Sequence, residues 1–174
     1  TCLSDFTVMR KGAIMAVASA GLASFAIGEQ VEAEDLGGWQ LHERVTGLVD
    51  RVVDTDEEAI DEIKRFLSYM PSNHNEAPPE APVPAGSDDA AAGILDILPD
   101  SRKRGYDVRK IIACIADKDS FFEFKPRFGR TIAVGLARLG GKVVGFLASN
   151  PMGKAGALDV AGCEKATRFT VMCD

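Results

Sequence analysis

The chain has 174 residues, 46% of them hydrophobic, which is enough for one domain or two small ones with a buried core. Its net charge of −6 gives no reason to expect a nucleic-acid or membrane partner and instead favours solubility. The four cysteines form no CxxC pair and only two histidines are present, so neither a disulfide framework nor a metal site is expected. We therefore predict a globular protein of the cytoplasm.

Residues 9–30 look at first like a secretory signal peptide, because Arg10 and Lys11 precede fifteen small or apolar residues. That run is shorter than the roughly 20 residues that a membrane helix needs. It also follows residues 3–8, whose apolar and polar side chains alternate as in a β-strand. We therefore predict a buried strand, turn and helix, with export as the alternative.

A helix is predicted next, because Thr55 and Glu58 have the spacing of a capping box and Pro71 would end the helix. The apolar residues at helical spacing are Ile60, Ile63, Phe66, Leu67 and Met70. The acidic residues of this segment are typical of a solvent-facing first turn and do not indicate a catalytic carboxylate pair. The proline-rich residues that follow predict an extended connection between two units.

The second unit is predicted to contain a helix that begins after Asp107, strands at 131–138 and 142–149, and a helix at about 162–173. Gly140 and Gly141 suit a two-residue hairpin turn because glycine tolerates positive φ at both positions. Both strands are almost entirely apolar, so both of their faces should be covered, as in a layered α/β protein.

The segment "GLARLGGK" has some similarity to a phosphate-binding loop, but the details exclude that site. Leu136 stands where the first glycine should be, and Val143 replaces the Ser or Thr that would bind magnesium. A strand rather than a helix follows. The chain also contains no nucleophile elbow and no dinucleotide fingerprint.

Two long passages resemble the biotin-dependent carboxyltransferases, the β subunits of propionyl-, acetyl- and methylcrotonyl-CoA carboxylases and related decarboxylases. The first is "GEQVEAEDLGGWQLHERVTGLVDRVVDTDEEAI", residues 28–60, followed by "RFLSYMP". The second, residues 106–174, carries in order "YDVR", "DSFFE", "GLARLGG", "NPMG", "GALD" and "KATRFTVMCD". Together these motifs cover almost the whole chain.

This resemblance implies a fold of two similar halves, each a crotonase-like β/α spiral. Residues 1–71 would be the C-terminal part of the first half, and residues 101–174 the N-terminal part of the second. Residues 72–100 would be the proline-rich linker between them. The similarity to a signal peptide would then be accidental.

The resemblance also implies an activity, the transfer of CO₂ from carboxybiotin on a separate carrier domain to the α-carbon of an acyl-CoA. Biotin carboxylase and biotin carrier subunits would be partners. A homo-oligomer is expected, because the family's active site lies between halves of neighbouring subunits. The alternatives are a decarboxylase of the same fold that runs the transfer in reverse, and a non-catalytic fragment or assembly module.

In this family, backbone amides rather than side chains carry most of the catalysis, and the resemblance places the glycine-rich oxyanion-hole loops upstream of Thr1 and downstream of Asp174. We therefore expect no catalytic residue in this segment and no activity from it alone. Gly37, Gly38 and His42 are expected to shape a loop and to make a structural hydrogen bond. The candidate substrate-binding residues are Ser149, Asn150, Pro151, Gly153 and Gly156, with a plain turn as the alternative.

Overall fold

The computed structural model describes residues 3–101 and 103–174. The chain divides into two compact units, Thr1–Ile63 and Lys64–Asp174. Both units mix helices and strands, as the sequence predicts for an α/β protein.

The first unit contains a small parallel sheet. Its elements are β1 (Val8–Arg10), α1 (Ala20–Ile27), α2 (Ala33–Gly37), α3 (Trp39–Arg44), β2 (Arg51–Val53) and the start of α4 (Asp56–Leu67). Strands β1 and β2 pair in parallel, with Val8 opposite Arg51. Two parallel strands need a crossover connection, and helices α1 to α3 form it.

The predicted strand and helix at the start of the chain are only partly right. The strand lies at Val8–Arg10 and not at residues 3–8. Helix α1 exists, but the prediction that it is buried is wrong, because Phe25 is 88% exposed and none of its residues is buried. Its large apolar side chains, Leu22, Phe25 and Ile27, are all more than half exposed.

Helix α4 begins with the predicted capping box. The Glu58 amide donates to Thr55 Oγ1 at 3.1 Å, and Glu58 Oε2 accepts from the amides of Thr55 and Asp54 at 3.3 and 2.8 Å. This satisfies amides that have no partner within the helix. The capping box therefore locates the start of this helix correctly, but the helix ends at Leu67, before Met70 and the predicted stop at Pro71.

The second unit contains a three-stranded antiparallel sheet in the order β3-β4-β5. Its elements are a 3₁₀ helix (Asp88–Gly93), α5 (Ile94–Ile97), α6 (Val108–Ile115), β3 (Phe122–Phe124), β4 (Ile132–Leu139), β5 (Lys142–Ser149) and α7 (Val160–Cys173). Asp107 caps α6 as predicted, because its side chain accepts from the Arg109 amide. Helix α7 begins two residues earlier than predicted, because Asp159 is its N-cap.

Helices α6 and α7 cover opposite faces of this sheet. Val108 and Ile112 of α6 form a core cluster with Ala133 of β4. On the other face, Phe169 of α7 lies 5.6 Å, centroid to centroid, from the ring of Phe124. Strand β4 is therefore buried on both faces, as its apolar sequence predicts.

For β5 the same prediction is wrong. It is an edge strand, paired only with β4 in the described chain, and Leu147 is 51% exposed. The apolar sequence correctly indicated a strand, but it could not show which side chains another element covers. The hairpin turn itself is confirmed, since Gly140 and Gly141 have φ of +60° and +82°.

The proline-rich segment after α4 forms neither helix nor strand until the 3₁₀ helix at Asp88–Gly93, and it lies along the hairpin turn. The Ala81 amide donates to the Gly141 carbonyl at 3.0 Å. Arg138 Nη1 donates to the Pro79 carbonyl at 2.6 Å. Backbone contacts therefore attach this part of the segment to the second unit.

The two turn glycines should respond differently to alanine. At Gly140 a Cβ would meet no atom within 4 Å, so only the positive φ is penalised, at about 1 kcal/mol. At Gly141 a Cβ would lie 2.2 Å from the Ala81 carbonyl oxygen, and overpacking adds about 2 kcal/mol. We expect urea unfolding to show Gly141→Ala as clearly the more destabilising change. Equal losses would contradict the close approach of the proline-rich segment.

Candidate functional site: the turn after strand β5

All five predicted substrate-binding residues lie in one turn that begins at the end of β5. Asn150 organises this turn and is only 3% exposed. Its Nδ2 donates to the Arg130 carbonyl at 3.2 Å, and its Oδ1 accepts from the Met152 amide at 3.3 Å. Its backbone amide donates to the Thr131 carbonyl at 2.8 Å. The turn is therefore fixed to the loop that precedes β4.

The two glycines of the turn are required for different reasons. A Cβ at Gly153 would lie 2.6 Å from the Arg130 carbonyl oxygen, so glycine allows the two backbones to approach closely. Gly156 has φ of +80°, and its carbonyl accepts a hydrogen bond from Ser149 Oγ at 3.1 Å. Neither position would accept a larger residue without a change in the turn.

Three consecutive residues of the turn have left-handed backbone angles. Gly156 tolerates this, but Lys154 (φ +46°) and Ala155 (φ +54°) do so at a cost of about 1–3 kcal/mol each. Lys154 Nζ donates to Asp159 Oδ2 at 2.7 Å, which ties the strained residues to the start of α7. Strain of this kind often accompanies functional loops, and its position agrees with the predicted site.

Asp159 connects the turn, the loop before β4 and helix α7. Besides Lys154, its carboxylate accepts from the Gly162 amide at 2.9 Å and from Thr131 Oγ1 at 3.1 Å. Asp159 was not predicted as a site residue. The signal was available, because an aspartate directly before a helical segment is a common N-cap.

These contacts should appear in the titration of Asp159. The hydrogen bond from Lys154, followed by that from the Gly162 amide, lowers the pKa of Asp159 to about 2 from 3.8. A lowered folded-state pKa contributes stability above pH 4 that is lost as the pH falls through 2. We expect carboxyl NMR signals to show this midpoint, and Lys154→Met to raise it. In the control Lys142→Met the midpoint should not move; a midpoint near 4 in the unsubstituted chain would contradict the geometry.

An open groove of about 770 Å³ lies beside the turn, along the start of α7. Its walls are mainly apolar, and Val160 is 78% exposed. The residues that line it are Leu158, Asp159, Val160, Cys163, Glu164, Thr167 and Arg168. Asp159 therefore belongs both to the groove and to the network that holds the turn.

Helix α7 also carries a buried lysine that was not predicted as a site residue. Lys165 is 1% exposed, and its Nζ donates to the carbonyls of Lys125, Phe128 and Ile132 at 2.8, 3.1 and 3.0 Å. Burial lowers the pKa of Lys165 to about 8, opposed by the nearby Glu123 carboxylate. A lysine in an amphipathic helix looks like a surface residue in sequence, so only the tertiary structure shows this role.

His42 makes the structural hydrogen bonds that were predicted for it in the first unit. Its Nε2 lies 2.7 Å from the Met15 carbonyl, which can only accept, so Nε2 carries the proton. Its Nδ1 lies 3.0 Å from Thr46 Oγ1. Gly37 and Gly38 do not form a loop before a helix as predicted. Gly37 is the last residue of α2, and Gly38 is the N-cap of α3. Gly37 also packs closely against the Met15 carbonyl, which leaves no room for a Cβ.

Neither a metal centre nor a membrane span is found in residues 3–101 and 103–174. No three His, Cys, Asp or Glu side chains in these ranges are grouped closely enough to bind a metal ion. None of the helices in the same ranges is long and apolar enough to cross a membrane.

Comparisons with known proteins identify the family. The profile of the carboxyl transferase domain matches residues 1–174. The carboxyltransferase subunit of a propionyl-CoA carboxylase from Haloferax mediterranei is 35% identical over 99% of this chain and 34% of its own length. The methylmalonyl-CoA decarboxylase subunit alpha of Veillonella parvula is 32% identical over 99% of this chain and 34% of that protein.

A solved structure of the transcarboxylase 12S hexamer, with hydrolysed methylmalonyl-coenzyme A bound, superposes with a TM-score of 0.91. It is 32% identical and covers 99% of this chain and 34% of the solved one. The chain thus spans about a third of the length of its relatives. Its fold is crotonase-like, as expected from the resemblance. The chain belongs to the carboxyl transferase domain family.

Proposed function

We propose that the chain is part of the carboxyltransferase component of a biotin-dependent acyl-CoA carboxylase. The observation that carries this proposal is the match over its whole length to a family whose relatives act on propionyl- and methylmalonyl-CoA. The reaction would transfer CO₂ from carboxybiotin to the α-carbon of an acyl-CoA. The assignment of residues 1–71 and 101–174 to two halves joined by a linker at 72–100 belongs to the same proposal.

The turn after β5 is proposed to line the substrate site. Carboxybiotin, when bound, supplies the CO₂. This chain would hold the backbone of the turn in a fixed, strained conformation, and a flat, polar group of the substrate would lie against it. Gly153 and Gly156 let the turn pack closely against Arg130 and Ser149. Asn150 Nδ2 donates to the Arg130 carbonyl, and Ser149 Oγ donates to the Gly156 carbonyl. Fixed dipoles of this kind cost no reorganisation during the reaction.

A decarboxylase of the same fold is the second candidate, supported by the relative from Veillonella parvula. It would run the transfer from the acyl-CoA to biotin. Neighbouring genes distinguish the two, because a biotin carboxylase gene favours the carboxylase and a membrane pump subunit favours the decarboxylase. A non-catalytic assembly module is the third candidate.

Transfer of the carboxyl group from methylmalonyl-CoA or malonyl-CoA to free biotin tests the proposal. The intact polypeptide that carries this chain should form carboxybiotin. The 174-residue chain alone should not, because the oxyanion-hole donors expected elsewhere each contribute on the order of 100-fold in rate. An intact polypeptide with no transfer from either substrate would support the assembly module, and full activity of the isolated chain would place the catalytic loops within it.

Biotin carboxylase and biotin carrier subunits are the proposed partners, in the cytoplasm. A homo-oligomer is also proposed, in keeping with the hexameric transcarboxylase 12S. The exposed apolar side chains of and beside α1 support this, since Val17, Leu22, Phe25 and Ile27 are all more than half exposed. A patch of that kind is rarely left bare on a soluble monomer.

Light scattering over a concentration series should therefore show association of the chain. Phe25→Ser should shift the equilibrium towards the monomer, because Phe25 is 88% exposed on the apolar helix. Leu95→Ser serves as the matched control, since Leu95 is 77% exposed but lies on α5 in the other unit. A strictly monomeric chain at all concentrations would contradict the proposed interface.

A further inference from the structure

The proposed reaction assigns no role to the buried ammonium group of Lys165. Its three N–H groups match three backbone carbonyls, those of Lys125, Phe128 and Ile132. All three acceptors belong to residues 125–132, which are the loop that leads from β3 to β4 and the first residue of β4, Ile132. An ammonium ion has three donors and no acceptor, so this arrangement satisfies it completely.

The loop also has an unusual backbone conformation and a close contact with α7. Lys125 has φ of +49° and Gly129 has φ of +53°. A Cβ at Gly129 would lie 2.7 Å from the Ala161 carbonyl oxygen, so the loop also lies directly against the first turn of α7. Without the ammonium group, buried carbonyls would lose a hydrogen-bond partner, which is costly in the protein interior.

The same loop holds the candidate site. Its Arg130 carbonyl accepts from Asn150 Nδ2 at 3.2 Å and is the atom that a Cβ at Gly153 would meet. Its Thr131 carbonyl accepts from the Asn150 amide at 2.8 Å. Its Thr131 hydroxyl donates to Asp159, which in turn binds Lys154 of the turn. Arg130 and Thr131, which make these contacts, lie in sequence between Phe128 and Ile132, whose carbonyls accept hydrogen bonds from Lys165.

The charged groups around Lys165 come from several elements. Glu123 on β3 stabilises its charge, whereas Arg109 on α6 and Lys125 on the loop oppose it. Burial has the largest effect and lowers the pKa of Lys165 to about 8. At neutral pH the group is therefore mainly charged, and all three hydrogen bonds can form.

We propose that Lys165 is a positioning residue for the turn at Ser149–Gly156 and acts through the loop at residues 125–132. Its catalytic consequence rests on the proposed function, whereas its structural consequence does not. The chain of contacts runs from the ammonium group to the loop carbonyls, and from the loop to Asn150 and Gly153. Lys165 would then influence the conformation of the turn indirectly, through the residues that contact it.

Hydrogen exchange of the intact polypeptide tests the structural consequence. In Lys165→Met the Asn150 amide should exchange at least tenfold faster, because the Thr131 carbonyl that accepts its hydrogen bond is no longer held. The amides in the middle of the β4–β5 hairpin should keep their protection. If Lys165→Met does not fold, Lys165→Gln can replace it. Glutamine retains two donors, so the Asn150 amide should exchange faster than in the unsubstituted protein but by less than the change expected for methionine. Lys110→Met, at an exposed position of α6, is the matched control and should leave the exchange rate of the Asn150 amide unchanged.

The transfer assay tests the catalytic consequence separately. If the turn exchanges faster and carboxyl transfer falls at least tenfold, the proposal is supported. Unchanged exchange of the Asn150 amide, or uniformly faster exchange throughout the second unit, would overturn the positioning role. Faster exchange of the turn with undiminished transfer would overturn the catalytic consequence and remove the turn from the site, while the carboxyltransferase activity itself would still stand.

Discussion

Replacing Arg109 with methionine should lower the free energy of unfolding of the second unit by about 3 kcal/mol. Arg109 Nε and Nη2 donate to the two carboxylate oxygens of Glu123, both at 2.7 Å. This bidentate pair joins the start of α6 to β3, and the Glu123 side chain is only 11% exposed. The hydrogen bond to Glu123 raises the pKa of Arg109, so the guanidinium keeps its charge. Methionine would leave the buried carboxylate without its partner.

Two further variants show whether the buried pair is the cause. Arg109→Met combined with Glu123→Met should recover most of the loss, because no unpaired carboxylate remains. Lys142→Met removes the exposed ion pair between Lys142 and Glu80, whose side chains are 72% and 71% exposed respectively. It should lower the free energy of unfolding by less than about 1 kcal/mol. Urea unfolding measures all three. Equal effects of Arg109→Met and Lys142→Met would show that the pair between α6 and β3 contributes little.

Local chemistry allowed several elements to be predicted from the sequence. Gly140 and Gly141 indicate the hairpin because both need positive φ, and the structure has it. Asp107 indicates the start of α6, and Thr55 with Glu58 indicates the start of α4. In each case the signal and its structural consequence lie within a few residues, so no knowledge of the tertiary fold is needed.

Burial could not be predicted in the same way. Helix α1 and strand β5 both have apolar sequences that indicate buried elements, and both expose large side chains in the described chain. An apolar sequence indicates that an element is more stable when it is buried, but it does not show which other element or subunit buries it. The proposed contacts with further subunits would account for α1.

The candidate site was predicted in part. The order of the family motifs directed attention to residues 149–156, and Asn150 with Pro151 indicated a turn, which the structure has. Whether substrate binds there stays a prediction. Asp159 and Lys165 were not predicted as site residues. Thr131, the partner that connects Asp159 to the loop before β4, lies 28 residues away, and Ile132, one partner of Lys165, lies 33 residues away. Only the tertiary structure shows that these side chains support the turn.

The central claim is that this turn faces the substrate of a carboxyltransferase, and a pair of glycine substitutions tests it directly. Gly156→Ala and Gly140→Ala both place a Cβ on a residue with positive φ, so both carry a similar backbone penalty. Gly156 lies in the turn, where a Cβ would be 2.9 Å from Ser149 Oγ. Gly140 lies at the opposite end of β5, roughly 24 Å away along the strand.

The measurement is the rate of carboxyl transfer from methylmalonyl-CoA to free biotin by the intact polypeptide carrying each substitution. Displacing a positioning group by about 1 Å can cost on the order of 100-fold in rate, so Gly156→Ala should lower the rate by at least tenfold. Gly140→Ala should keep the rate of the unsubstituted protein. Equal rates for the two variants would contradict the placement of the substrate at the end of β5.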